Sequence, residues 1–337
     1  MKPKISIFIP IYKESPYISR LLETLSKQKI KKEIFVVIDE PTKDMLKLLS
    51  KQKINLKINK KRVGKAKALN DAVKYGSSDI LLFLDSDIEI RDDNFLEKVV
   101  EEIKEVDILD IKKHVIKDSP IAKMIYYEFI GTNIGSYVSY NFTKRCPSIN
   151  GCAFAIKRKI FIKVNGFRNV IYEDMDIAMR VFIKDAKFKY TSKIEVYNHT
   201  HKDIRKWFIQ KKRWNFNKIM WLKESYHYLF TKDLKKRIIY IPTTLLLFPP
   251  VLFIILLLIQ NPILLPIRIL SSYLLSLIIF LCIYYLFSKK LNFEFKFTEF
   301  LIYFSIYSFL NFGHFLTITI FGLLIKKNKN FINDWKI

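Results

Sequence analysis

Cysteine is scarce in this chain, with Cys146, Cys152 and Cys282 the only three in 337 residues. They have no metal-ligand spacing and are too few for a disulfide framework, which excludes a disulfide-stapled scaffold and fits a reducing cytosolic face. Carboxylates are in deficit too, 32 against 58 lysines and arginines, for a net charge of +26. No recognised nucleic-acid-binding motif accompanies that excess, so nucleic acid is not an expected partner. The lysines are spread along the charged part rather than gathered in one block. A positive face beside a membrane is attracted to anionic headgroups. Internal repeats and low-complexity segments are absent apart from the lysine richness. The apolar residues 5–11 are too short for a signal-peptide core followed by a cleavage site.

The most informative absence is of charge downstream of Arg237. Residues 238–259 carry none, 263–287 only Arg268, and 300–325 only His314. Each run exceeds the ~20 apolar residues that span a bilayer. The expected organisation is a cytosolic α/β domain over 1–204, amphipathic interface helices over 205–237, about three transmembrane helices over 238–325 and a basic tail over 326–337. Three spans would put Lys326, Lys327 and Lys329 outside, against the positive-inside tendency. Pro242, Pro249 and Pro250 make the first run the candidate for a bent or re-entrant segment, which would return the tail to the cytosol.

Over the first 100 residues short apolar runs alternate with helical patterns, as in a parallel sheet with crossover helices. Residues 5–9 and 34–38 are expected as strands, then a short strand around Leu56 and another over 80–84. Ser15-Pro16 is expected to cap the first helix, and residues 64–75 to form a helix closing at Gly76. Asp39 and Asp85 fall at or just past the carboxyl ends of strands, the edge where open α/β sheets bind ligands. Residues 92–106 are expected to be helical, and the aromatic stretch 119–140 is either a core helix or an acceptor-facing surface. Trp207, Trp214 and Trp221 recur every seven residues, so on a helix they share a face. With lysines beside them they suggest a helix lying in the membrane interface.

Asp85-Ser86-Asp87 sets two carboxylates two residues apart directly after a buried strand. That arrangement suits a hard divalent cation, Mn2+ or Mg2+, holding a diphosphate. Asp39 could accept a hydrogen bond from a nucleobase and Lys65 could meet phosphate, with a plain surface charge the alternative for either. The Glu173-Asp174 pair invites a mechanistic argument. A sugar hydroxyl is a poor nucleophile at neutral pH and needs a carboxylate to take its proton, whereas a lipid phosphate is already anionic. The pair therefore favours a hydroxyl acceptor, with an acidic helix start extending to Asp176 as the plain alternative. Gln210, Arg213 and Trp214 fall three and four apart, so a helix presents them on one surface. There the arginine fork suits a diphosphate and the indole a sugar ring. His199 and His201 are either near the metal site or turn histidines.

Taken in order, Ile9-Pro10-Ile11-Tyr12, Asp39, Gly64-Lys65-Ala66 with Leu69-Asn70, Asp85-Ser86-Asp87, Asn150-Gly151-Cys152-Ala153, Glu173-Asp174 and Gln210 to Trp214 resemble glycosyltransferase family 2. The resemblance covers about the first two thirds of the chain. It implies a Rossmann-like nucleotide-sugar-binding domain of GT-A type, here followed by a helical membrane domain. It also implies a divalent metal and inversion at the anomeric carbon. By it, Pro10, Tyr12 and Lys65 are donor-binding positions, Asp39 binds the base, and Asp85 and Asp87 hold diphosphate and metal. Asp174, beside Glu173, is the catalytic base. Gln210, Arg213 and Trp214 match the Gln-x-x-Arg-Trp motif of the membrane-bound synthase branch. Two departures stand out. Glu40-Pro41 follows Asp39 where many members carry a second Asp. The membrane helices that processive synthases usually place before the catalytic domain are not seen here. The expectation is a multi-pass cell-membrane enzyme, catalytic domain in the cytosol, moving sugar from a nucleotide donor to a hydroxyl of a lipid or lipid-linked glycan. Rivals are a polyprenyl-phosphate sugar synthase, a processive polysaccharide synthase and a non-catalytic nucleotide-sugar binder.

Overall fold

A computed structural model describes residues 4–225, 245–246, 248–260 and 264–324. The chain divides into two units, the first drawn from residues 1–116 and 136–200 and the second from 117–135 and 201 onward.

The first unit opens with β1 (Ile5–Tyr12), α1 (Ile18–Lys27), β2 (Lys32–Asp39), α2 (Lys43–Leu49), β3 (Asn55–Asn59), α3 (Lys65–Val73) and β4 (Ile80–Leu84). There follow β5 (Ile88–Glu89), α4 (Phe95–Glu102), β6 (Ile108–Val115), α5 (Pro120–Thr143), β7 (Ala153–Lys157), α6 (Arg158–Lys163), α7 (Glu173–Ile183) and β8 (Phe188–Asn198). Helix α5 is shared, its residues up to Gly135 counting with the second unit. One eight-stranded sheet results, in the order β3-β2-β1-β4-β7-β6-β8-β5. Strands β1 to β4 are mutually parallel where they pair, and β7 is antiparallel to both β4 and β6.

The near-continuous apolar run of β1 is buried because a central parallel strand is covered on both faces. Phe35, Phe8, Phe83 and Phe154 stack in a row across four neighbouring strands, with centroid separations of 5.1, 5.4 and 5.1 Å. Such cross-strand aromatic pairs fix register, and here register decides which residues reach the ligand-binding edge. Tyr12 pairs with Asp39, and Asp39 with Asn59, so three adjacent strands end together.

Two local expectations are corrected and one open alternative is decided. The first helix is capped by Tyr17 without a side-chain bond, because Ser15 Oγ instead donates to the Ser86 carbonyl at 2.9 Å and ties the β1–α1 loop to the Asp85-Ser86-Asp87 turn. The helix expected over 92–106 is shorter, Phe95–Glu102, since residues 103–105 turn away before β6. Residues 119–140 form a helix whose interior positions Ile125, Tyr126, Tyr127, Phe129 and Ile130 are buried, a core element.

The second unit comprises the first part of α5, α8 (Ile204–Ser225), α9 (Pro250–Ile259), α10 (Leu265–Lys290), α11 (Phe297–Ile302) and α12 (Ser308–Leu324), the last two joined by a π-helical turn over Tyr303–Tyr307. Two helical stretches, Leu265–Lys290 and Phe297–Ile320, are long and apolar enough to cross a membrane. Of the first apolar run, much of 238–249 and the tail 326–337 lie outside the described residues. Its described part, α9, has ten residues and at ~1.5 Å per residue is about half a bilayer core in length.

Tyr127 Oη donates to the Lys296 carbonyl and accepts from the Lys296 amide, both at 2.9 Å, fastening α5 to the loop before α11. At the centre, Lys211 pairs with Glu128, and Lys218 Nζ lies 3.4 Å from the same carboxylate. Tyr307 Oη donates to Glu128 at 3.0 Å and accepts from the Trp207 indole at 3.2 Å. Burial raises the Glu128 carboxyl, but the two ammonium groups outweigh it and hold the pKa at about 2.

Candidate active site

The sheet edge predicted to bind ligand is where the first unit gathers its carboxylates. Asp85 follows β4 and is fixed by its own amide, which donates to the Cys152 carbonyl at 2.9 Å. Lys65, at the start of α3, reaches Asp85 Oδ1 at 2.8 Å and Glu173 Oε1 at 3.2 Å. The Lys65 ammonium is thus the hinge of the cluster, a salt-bridged position rather than a plain surface charge. Burial works against its charge, but Asp85, Glu173 and Asp174 outweigh that and hold its pKa above the usual range. Burial in turn lifts the Glu173 carboxyl above the ordinary carboxylate value, against the pull of Lys65. A small cavity is lined by Pro10, Lys65, Asp85, Gly151, Glu173 and Asp174, among others.

Asp174 is held by backbone. Its Oδ2 accepts from the Gly151 amide and its Oδ1 from the Met175 amide, each at 2.8 Å. A Cβ at position 151 would lie 2.6 Å from Asp174 Oδ2, so only glycine lets the carboxylate approach that strand end. Asp176, the third acid of the helix start, behaves differently: it is buried and answered by Arg180 and Arg168. The acidic helix start therefore separates into one structural carboxylate and two that line the cavity.

Asp39 is buried and its oxygens are engaged. Oδ2 accepts from the amides of Val63 and Gly64 at 3.0 and 2.9 Å, and Oδ1 from Asn59 Nδ2 at 2.8 Å. Gly64 sits at φ +89°, a conformation glycine adopts freely, and turns the chain into α3 so that Lys65 faces the carboxylates. Tyr12 projects beside it, its hydroxyl donating to Glu40 at 3.2 Å and its ring under the Arg62 guanidinium at 4.3 Å. Sequence reasoning passed over Arg62, and treated Glu40 only as a departure from the family pattern. The short loop after β3 carries no motif for Arg62, and only folding brings it to Tyr12. Asn70 has a bracing role, exchanging hydrogen bonds of 2.7 and 2.9 Å with the Phe167 backbone.

Asp87 accepts from Asn198 Nδ2 at 3.4 Å, and its carbonyl accepts from the His199 amide at 3.0 Å. The His199 ring stacks on Tyr17 at 3.7 Å, whereas His201 belongs to the second unit and is exposed. Cys146 and Cys152 are buried, and burial pushes the Cys146 thiol up to about 12 and the Cys152 thiol well above its usual value. Neither suits a nucleophile.

Among the described residues no group of three or more metal-ligating side chains stands ready-made. Asp85 and Asp87 nonetheless fit a hard divalent ion. They offer oxygen only, and Asp85 already neutralises a cation, the Lys65 ammonium. A two-carboxylate site leaves positions for the oxygens of a bound diphosphate.

Gln210, Arg213 and Trp214 lie on α8 in the second unit. Arg213 is exposed. Trp214 is half-buried, with the Lys211 ammonium 4.1 Å from its ring centroid. Gln210 Oε1 is buried without a hydrogen-bond partner among the described residues. The three tryptophans share one face, as their spacing implies, and Trp207 and Trp221, each 2 % exposed, point into the helical unit. Indoles bury well wherever a partner exists for the ring N–H, and Tyr307 supplies one to Trp207.

Residues 6–164 match the family model for glycosyl transferase family 2. The poly(ribitol-phosphate) beta-N-acetylglucosaminyltransferase TarS of Staphylococcus aureus is 36% identical over 92 residues, 25% of this chain and 16% of that protein. The 4,4'-diaponeurosporenoate glycosyltransferase of Staphylococcus haemolyticus is 28% identical over 103 residues, 29% of this chain and 28% of that protein. The chain thus aligns with less than a third of each of these relatives. In fold it is similar to the mannosyltransferase PcManGT from Pyrobaculum calidifontis, solved with GDP-Man and Mn2+, at a TM-score of 0.64 and 15% identity over 97% of this chain and 89% of that one. The mixed sheet, the carboxylate-lined edge and the family match agree: residues 6–164 form a glycosyltransferase family 2 domain with a GT-A-like α/β fold.

Proposed function

We propose that the chain is an inverting glycosyltransferase of the membrane-bound branch, moving a sugar from a nucleotide-sugar donor to a hydroxyl of a lipid or lipid-linked glycan. The observation that carries this reading is the convergence of Asp85, Glu173 and Asp174 around Lys65 at the carboxyl edge of the sheet. Pro10, Tyr12 and Asp39 would bind the donor, Asp39 at its base, and Asp85 and Asp87 would hold Mn2+ or Mg2+. Bound by these carboxylates, such an ion would supply charge neutralisation for a diphosphate leaving group. Support for donor and metal together comes from the fold relative, whose complex contains GDP-Man and Mn2+.

Asp174 takes the proton of the acceptor hydroxyl as the new bond forms at the anomeric carbon and the bond to the diphosphate breaks. Its carboxylate is aimed by two backbone amides, the preorganisation a general base needs. Glu173 keeps Lys65 beside the leaving group, where an ammonium can meet phosphate. The resemblance assigns Gln210, Arg213 and Trp214 an arginine fork for a diphosphate and an indole for sugar or acceptor. The apolar helices hold the chain in the cell membrane with the catalytic domain on the cytosolic side. Mass spectrometry of lipids made by the purified protein from a panel of nucleotide sugars tests the proposal. A glycosylated lipid with release of nucleoside diphosphate is expected. Donor binding without release would identify a non-catalytic binder, and long products a processive synthase.

A further inference from the structure

Asp85, Ser86 and Asp87 make the whole connection between β4 and β5, and all three are only half-buried. A metal site built on two carboxylates needs them held at a fixed separation. A three-residue connection outside the strand ladders does not set that separation by itself. What fixes it is one tether on each residue, drawn from three different places. The Asp85 amide donates to the Cys152 carbonyl just before β7 at 2.9 Å. The Ser86 carbonyl accepts from Ser15 Oγ in the β1–α1 loop at 2.9 Å. The Asp87 carbonyl accepts from the amide of His199, directly after β8, at 3.0 Å.

The last two tethers are joined to each other. Tyr17, two residues after Ser15, stacks on the His199 ring with centroids 3.7 Å apart and planes 8° from parallel. Ser15, Ser86, Asp87, His199 and Tyr17 thus close a ring of contacts beside the two carboxylates. Of the three tethers only that of Ser15 is made by a side chain, and it is 5 % exposed. Its loop also reaches the other end of the sheet edge, where the Lys13 amide donates to the Asp39 carbonyl at 2.9 Å. Ser15 therefore links the strand end carrying Asp39 to the turn carrying Asp85 and Asp87.

We propose that Ser15 is a positioning residue for the divalent ion: backed by the Tyr17–His199 stack, it holds Asp85 and Asp87 at the separation that the ion needs. The inference rests on the reading of those two carboxylates as metal-binding.

The test is Mn2+ binding to the full chain in detergent, measured by equilibrium dialysis with and without GDP or UDP. Ser15→Ala is expected to weaken Mn2+ binding by about fivefold, the worth of one neutral hydrogen bond. Ser15→Thr, which keeps the hydroxyl, should restore it. Tyr17→Ala should weaken binding too, and the double variant by less than the product of the two, because both act on one ring of contacts. Unchanged affinity in Ser15→Ala, or a loss that threonine does not restore, would overturn the inference. If Ser15→Ala does not fold, unchanged affinity in Tyr17→Ala would overturn it instead. A wild-type chain that binds no Mn2+ with either nucleotide would overturn the metal reading and this inference with it, whereas normal wild-type binding that the variants leave intact overturns this inference alone.

Discussion

The two units handle buried charge in opposite ways. At the sheet edge, Asp85 and Glu173 share one lysine with Asp174 beside them, so the cluster keeps surplus negative charge and borders a cavity. In the helical unit, Lys211 and Lys218 share one glutamate, and Lys211 is fully shielded from solvent. An unbalanced cluster left partly open can exchange its internal cation for a metal ion and ligand. A closed one can only hold its own helices together. Removing a partner should therefore cost activity in the first unit and stability in the second.

The largest expected effect is on the open cluster. EDTA should abolish transfer and Mn2+ or Mg2+ restore it, measured as nucleoside diphosphate released. Full turnover in EDTA would remove Asp85 and Asp87 from any metal site. Next comes Asp174→Asn, expected to lower turnover by roughly 10²–10⁴-fold with donor affinity nearly unchanged. Normal turnover by that variant would shift the acceptor from hydroxyl to phosphate.

For the closed cluster, Glu128→Gln leaves Lys211 buried without its anion and should cost about 3–5 kcal/mol in denaturant unfolding. The pair also sets a pH dependence. Because the Glu128 pKa is held at about 2 in the folded chain, below its unfolded value, its contribution is complete above the ordinary carboxylate range and is lost as pH falls toward 2. Glu128→Gln should flatten that slope; an unchanged slope would mean other acids carry it. The smallest effect distinguishes the uses of α8. Arg213→Lys should stay membrane-bound yet turn over roughly tenfold slower, about 1.4 kcal/mol, because lysine lacks the bidentate fork. Unchanged turnover would leave Arg213 a headgroup contact only.

Much of the first unit was legible in advance. Strand and helix periodicity placed β2, β4 and α3 to within two residues and found the start of β1, though β1 runs three residues further than expected, and strand ends located Asp39 and Asp85. Where local reasoning failed, a distant residue had competed for a side chain. Ser15 left its capping role for the Ser86 carbonyl 71 residues away. Trp207 of α8 turned inward, where Tyr307, 100 residues on, accepts its indole N–H.

By itself the sequence determined the alternation of strands and helices, the carboxylates at strand ends and the apolar runs, because each depends on spacing within a few residues. Only the tertiary structure decided that Asp176 is bound to arginines while Glu173 and Asp174 line a cavity, that Gly151 makes room for Asp174, and that Lys65 stands between Asp85 and Glu173. Those outcomes turn on distances between groups far apart in the chain. Charge interactions at such distances depend on burial and geometry, which residue spacing does not encode.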